Sequence, residues 1–277
     1  MNPTNEIAIV LLCTKREYDL GFFQKCLDSY FDNNCSRHYS VDLFLFFNQG
    51  SRNDYPLIDK YLLHKNINNI KFHSFNYSQS QDIYFRTPQE MRQFNSQTHE
   101  LGGSGGANLL FFDSMLSLIG LKYKNYLMIE SDSRPIKSFW LDLLLRHYAF
   151  EDFLIFGSRY KGLQELPKYE SWTGHLNGIA IYKNNNHLKH LLQEARSYIK
   201  YSVIHNINQF MSFDVAIWLF SKTLNFQNYL NSHRINYEVL VNSKVISNYS
   251  LFCDLNLSRS EILKRDPETI ILHQKWN

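Results

Sequence analysis

The sequence predicts an α/β fold with a mostly parallel central sheet flanked by helices. Two observations carry that prediction. A continuous apolar run with β-branched residues stands at Ile7–Cys13, as a strand buried on both faces requires, and the strand pattern recurs at Val41–Phe47 and residues 126–129. Between them lie segments of helical spacing, first Leu20, Phe23, Leu27 and Tyr30, which supply the crossovers that parallel neighbours need.

In chain order, the strand Ile7–Cys13 leads to a helix over 17–31 and the strand Val41–Phe47, a βαβ opening. Residues 57–63 predict a short helix and 70–75 a third strand. Residues 78–100 are polar and poorly periodic. The run Gly102-Gly-Ser-Gly-Gly106 then opens an amphipathic helix over 108–121, followed by the strand 126–129. Downstream, 153–156 and 178–182 predict strands, 188–198 and 214–219 helix, and 237–245 and 269–272 late strands. No repeat or low-complexity linker divides the chain, so a single domain over 1–277 is expected.

Composition narrows the function classes. Hydrophobic residues at 44% and charged residues at 20% describe a chain that can bury a core. A net charge of +3, with no block of Lys or Arg, excludes a nucleic-acid footprint. Cys13, Cys26, Cys35 and Cys253 lack CxxC spacing, which points to reduced thiols rather than zinc. No apolar run reaches the length of a signal-peptide core or a transmembrane span, so a soluble, cytoplasmic protein is expected.

The informative segment is Tyr126-Leu-Met-Ile-Glu-Ser-Asp-Ser-Arg-Pro135, an apolar strand ending in two carboxylates one residue apart. Extended spacing sends Glu130 and Asp132 to one side, where ligands of parallel sheets bind. Taken alone, such an end is an ordinary turn with solvated acids. Beside a diphosphate, the pair makes sense only with a hard cation, Mn2+ or Mg2+, between the like charges.

The strand with Glu-Ser-Asp-Ser-Arg-Pro, preceded by a glycine-rich turn and a helix containing Asn108, resembles the DxD segment of GT-A glycosyltransferases. The resemblance implies a Rossmann-like GT-A domain, with residues up to about 135 holding a nucleotide sugar and about 136–277 the acceptor. It makes Asp132 the primary metal ligand and Glu130 its helper toward the metal or the ribose; Glu in place of the first Asp is a departure from the pattern. Thr14 and Arg16 look like base or phosphate contacts, Asn48 like the end of the second strand, and Asp82 like the acid on the base. The glycine run, with Gly105, looks like a loop over the donor sugar and diphosphate, and Asn108 a donor contact; a plain helix-entry turn is the other reading.

On the acceptor side, Ser171-Trp-Thr-Gly-His-Leu-Asn-Gly178 resembles the family's acceptor loop, which implicates Trp172, His175 and Asn177. Asp214 opens an apolar helix, where an acid also suits the helix dipole. By resemblance it matches the catalytic acid that takes the acceptor proton in inverting members; in a retaining enzyme it would hold acceptor. His273 matches the late histidine that closes the metal site, and Lys275 would neutralise a phosphate oxygen.

The implied partners are a UDP-sugar, with UDP-xylose, UDP-glucose and UDP-galactose as candidates, and a glycan or glycoconjugate acceptor. A sugar nucleotidyltransferase is the first alternative, although Thr14-Lys-Arg16 lacks the glycines expected after its first strand. A non-catalytic glycan-binding module is the second.

Overall fold

The computed structural model describes residues 6–32, 34–84, 89, 99–149, 151–161, 174–249 and 257–274. The strands are β1 (Ile7–Cys13), β2 (Val41–Phe47), β3 (Ile67–Ser74), β4 (Asn125–Glu130), β5 (Ser133–Pro135), β6 (Ile155–Gly157), β7 (Ala180–Lys183), β8 (Leu240–Asn242), β9 (Ile246–Asn248) and β10 (Ile271–His273). Seven of them form the central sheet in the order β3-β2-β1-β4-β7-β6-β8, and β5-β10-β9 form a smaller one. The first four strands of the central order run parallel. β7 is antiparallel to both β4 and β6, and β8 is parallel to β6.

The fold follows from two-sided burial. Every residue of β1 is buried. Ile7, Ile9, Leu11 and Cys13 pack on one face with Phe23, Leu27, Tyr30 and Trp140. Ala8, Val10 and Leu12 pack on the other with Phe111, Phe112, Met115 and Leu192. Alternation along a strand thus feeds two cores at once, which explains the unbroken apolar run.

Several elements differ from the sequence reading. The helix expected over 17–31 is two, Lys15–Asp19 and Phe22–Tyr30, parted at Gly21 with φ +78°. Segment 57–63 is a 3-10 helix, Pro56–Tyr61. The expected strand 237–245 divides because the Ser243 hydroxyl accepts the N–H groups of Val245 and Ile246 and turns the chain. Its first part stays in the central sheet as β8, and β9 joins the smaller one. The three-residue β5 and the helices Trp140–Tyr148, Leu224–Ser232 and Arg259–Arg265 escaped notice. Cys13, Cys26 and Cys35 are buried free thiols, whereas Cys253 lies outside the described residues. Among the described residues, no helix is long and apolar enough to cross a membrane.

Strand order reverses at β1, since the chain proceeds to β2 and β3 on one side and returns to β4 on the other. Such a switch opens a crevice at the carboxyl ends of the two strands. Here those ends carry Cys13 and Glu130, with Leu12 in register opposite Glu130.

Candidate active site

β4 stops at Glu130 because the next residues are recruited sideways. Ser133 donates its hydroxyl to the Glu130 carbonyl at 2.7 Å and accepts one from Tyr30 at 3.0 Å. Ser131 donates to Glu17 Oε1 at 2.6 Å. The chain turns through 131–132 and leaves as β5, antiparallel to β10, which sets His273 opposite Ser133 on one side and Asn248 on the other. His273 Nε2 consequently lies 3.0 Å from Asp132 Oδ1 and 3.5 Å from Glu130 Oε2. One ligand atom from each of the three falls within 4.8 Å of the others.

The electrostatics of this cluster suit a cation. His273 Nδ1 faces the Asn248 amide oxygen at 3.1 Å, an oxygen that can only accept, so the ring presents Nε2 to the carboxylates. Burial is the strongest single influence on His273 and opposes its charge, but the charge and hydrogen bond of Asp132 together with the charges of Glu130 and Asp214 outweigh it and raise the imidazole to about 9. Burial raises the Glu130 carboxyl; the His273 charge works against the rise, and the charges of Asp132, Asp214 and Glu17 add to it. Two hard oxygens and an imidazole nitrogen form a donor set suited to a divalent ion, and the nitrogen fits Mn2+ better than Mg2+.

The nucleotide-side residues divide. Asn48 accepts the Lys15 N–H at 2.9 Å and donates to Asp82 at 2.6 Å, so two expected donor contacts meet. Thr14 caps the helix Lys15–Asp19 and exchanges hydrogen bonds with Glu17. Arg16 is exposed on that helix. Gly105 has no room for a Cβ because the His99 ring fills the place, and a Cβ on Gly106 would sit 2.7 Å from Asp82 Oδ1. His99 in turn donates to the Gln81 carbonyl at 2.6 Å and accepts the Leu101 N–H. The glycine run therefore clasps segment 81–83. Asn108 is fully buried and donates to the carbonyls of Leu101 and Met211 at 3.1 and 2.9 Å, bracing two loops from inside.

On the opposite flank, Asp214 sits in the first turn of the helix Phe213–Ser221. Its Oδ1 accepts the Val215 N–H and the Ser212 hydroxyl, and its Oδ2 lies 3.5 Å from His175 Nε2. The Asn177 side chain is turned onto its own loop, accepting the Ile179 N–H at 3.0 Å. Trp172 and Lys275 lie outside the described residues.

Four contributors were missed by sequence reading: Glu17, Ser131, Asn248 and Gly178. Only Glu17 had a legible sign, the Thr-x-x-Glu spacing of a capping box. A Cβ on Gly178 would stand 2.6 Å from Glu130 Oε1 and 2.7 Å from the Phe213 ring. Gly178→Ala is therefore expected to displace the Glu130 carboxylate and weaken Mn2+ binding by about 10–100-fold, as other changes that disturb a ligand's support do. Isothermal titration with Mn2+ checks this, and an unchanged affinity would reject the contact as limiting.

The chain matches no protein-family model and no curated protein. Among solved structures it is similar to mouse xyloside xylosyltransferase 1 in its apo form, with 14% identity over 97% of each chain and a TM-score of 0.53. Similarity also extends to the galactosyltransferase LgtC in complex with donor and acceptor sugar analogs, with 14% identity over 96% of this chain and 86% of that one, at a TM-score of 0.48. The glycosyltransferase GlyE of Streptococcus pneumoniae is 11% identical over 98% of this chain and 57% of its own, at a TM-score of 0.50. The fold, a mostly parallel sheet with helices on both faces, is that of GT-A glycosyltransferases.

Proposed function

We propose that this chain is a metal-dependent glycosyltransferase that moves a sugar from a UDP-sugar to a hydroxyl of a glycan acceptor. The observation that carries the reading is the convergence of Glu130, Asp132 and His273, from distant parts of the chain, at the carboxyl end of β4 beside the strand-order switch. Asp132, His273 and Glu130 would hold Mn2+ or Mg2+, which supplies Lewis-acid neutralisation of the diphosphate leaving group. Asn48 and Asp82 would orient the nucleotide, with Thr14, Arg16 and Gly105 on the same donor side and Asn108 bracing its loops from inside; Lys275 is assigned to the donor by resemblance alone. Residues up to about 135 make the donor half and those from about 136 the acceptor half.

Asp214 is the acid nearest the acceptor side. Its second oxygen, paired with His175, is the one left to take or hold the proton of the attacking hydroxyl. His175 and Asn177 would line the acceptor side, to which the resemblance adds Trp172. Loss of UDP, the expected leaving group, then depends on the cation site.

A donor panel tests this reading. Thermal shift with UDP-xylose, UDP-glucose and UDP-galactose, each with and without Mn2+, should give one donor whose stabilisation needs the metal. Release of UDP from that donor completes the test. Consumption of a nucleoside triphosphate with a sugar phosphate would instead identify a nucleotidyltransferase, and stabilisation by glycan without turnover a binding module.

The proton on His273 gives a pH dependence with a definite sign. A raised imidazole stabilises the metal-free fold fully below the ordinary value of 6.5, and that contribution disappears as pH rises through about 9. A cation must displace the same proton. Apparent Mn2+ affinity should therefore climb by up to about tenfold per pH unit until about pH 9, with proton release on binding. Titrations at about pH 6.5, 7.5 and 8.5 in buffers of different ionisation enthalpy measure both, and a flat profile removes His273 from the ligand set.

A further inference from the structure

We infer that Glu17 is the positioning residue of the acidic turn, acting through Ser131; this rests on the reading of Glu130, Asp132 and His273 as a cation site. The two oxygens of its carboxylate do different work. Oε2 accepts the Thr14 N–H and the Thr14 hydroxyl, both at 2.8 Å, and the Glu17 N–H returns a bond to Thr14 Oγ1 at 3.2 Å. That is a complete capping box, and it occupies a single carboxylate oxygen. Oε1 is left over for a second task. It reaches across to the loop after β4 and accepts the Ser131 hydroxyl at 2.6 Å.

Ser131 is the residue between the two acids. It is buried, and a charge-assisted bond in such a place is roughly twice as strong as a neutral one. The bond sets the rotation of the turn at its middle. Ser133 holds the same turn from the far side through the Glu130 carbonyl, so the segment carrying both acids is fixed at two points. The register of β1 against β4 explains why the reach is short, because Leu12 lies opposite Glu130 and the loops leaving the two strands run side by side. Glu17 therefore joins the loop after the first strand to the turn that carries the acids. The orientation of Glu130 and Asp132 toward His273 depends on an acid that is not itself in the cluster.

The substitutions separate a bridge from a cap and from a charge. Glu17→Ala removes all three. Ser131→Ala removes the bridge and leaves the cap and the charge. Glu17→Gln removes the charge but can accept from Thr14 and donate its amide hydrogen to Ser131 Oγ. Mn2+ alone is titrated into the full chain by calorimetry for these variants, the double variant Glu17→Ala/Ser131→Ala and Asp132→Ala, with melting temperatures recorded in parallel. Expected are losses of about 10–100-fold in Mn2+ affinity for Glu17→Ala and Ser131→Ala. The double variant should be no weaker than the worse single one, and Glu17→Gln should bind within about twofold of wild type. Ser131→Ala should do this with little change in melting temperature, which loss of a helix cap would lower.

Wild-type affinity in Ser131→Ala while Asp132→Ala loses binding overturns the bridge and leaves the cation site standing. A loss in Glu17→Gln equal to that in Glu17→Ala also overturns it, because charge would then be the cause. Wild-type binding in Asp132→Ala overturns the site and this inference together.

Discussion

Asp132→Ala is expected to remove the Mn2+-dependent stabilisation by donor and to lower sugar transfer by about 10³-fold or more. The carboxylate stands 3.0 Å from His273 Nε2, and without it the cluster keeps one acid and one imidazole, too few to compete with water for a hard cation. Lewis-acid neutralisation of a leaving group contributes several kcal/mol, and each 1.36 kcal/mol is tenfold in rate. The melting shift is the second measure, since a ligand at about 100 times its Kd stabilises by about 2.7 kcal/mol. Removing one of two neighbouring acids should leave the metal-free fold intact. Rates for Asp132→Ala within tenfold of wild type, under saturating donor and metal, would reject the assignment.

Asp214→Asn is expected to lower kcat by about 10²–10⁴-fold, the range for a lost general base, with Mn2+ affinity nearly unchanged. Asparagine keeps the size and an oxygen for the Val215 N–H and the Ser212 hydroxyl, so the helix start survives. What changes is the oxygen facing His175, which becomes an amide group unable to take a proton. Initial rates at saturating donor isolate the effect, and the anomeric configuration of the product by NMR assigns its cause. Inversion with a fall in kcat makes Asp214 the base. Retention with a rise in acceptor KM makes it an acceptor-holding group. Wild-type kinetics removes it from the reaction.

The central strands were legible because two-sided burial favours unbroken apolar runs, complete in β1 and broken in β2 only by the buried Asp42. The end of β4 was legible too, since Glu130 and Asp132 break an apolar run where the sheet opens. His273 followed from resemblance and meets the acids through β10, a strand of three residues whose partners β5 and β9 are equally short. No periodicity survives in three residues, so the smaller sheet could not be read in advance. Gly178 and Asn248 were hidden for another reason. The space that Glu130 fills beside Gly178, and the bond from Asn248 to the His273 ring, exist only once distant segments meet. Asn108 illustrates the converse, because an amide suited to touching a ligand is equally suited to holding carbonyls inside a fold.

The placement of β10 between β5 and β9 has a consequence for biosynthesis. At about 5–20 residues per second, the ribosome delivers His273 on the order of ten seconds after Asp132. Until then the nascent chain holds two neighbouring negative groups with no imidazole to offset them. The early strands must therefore hold together through their apolar faces and their own ladders, and the arrival of the histidine completes the cluster after the central sheet instead of seeding it.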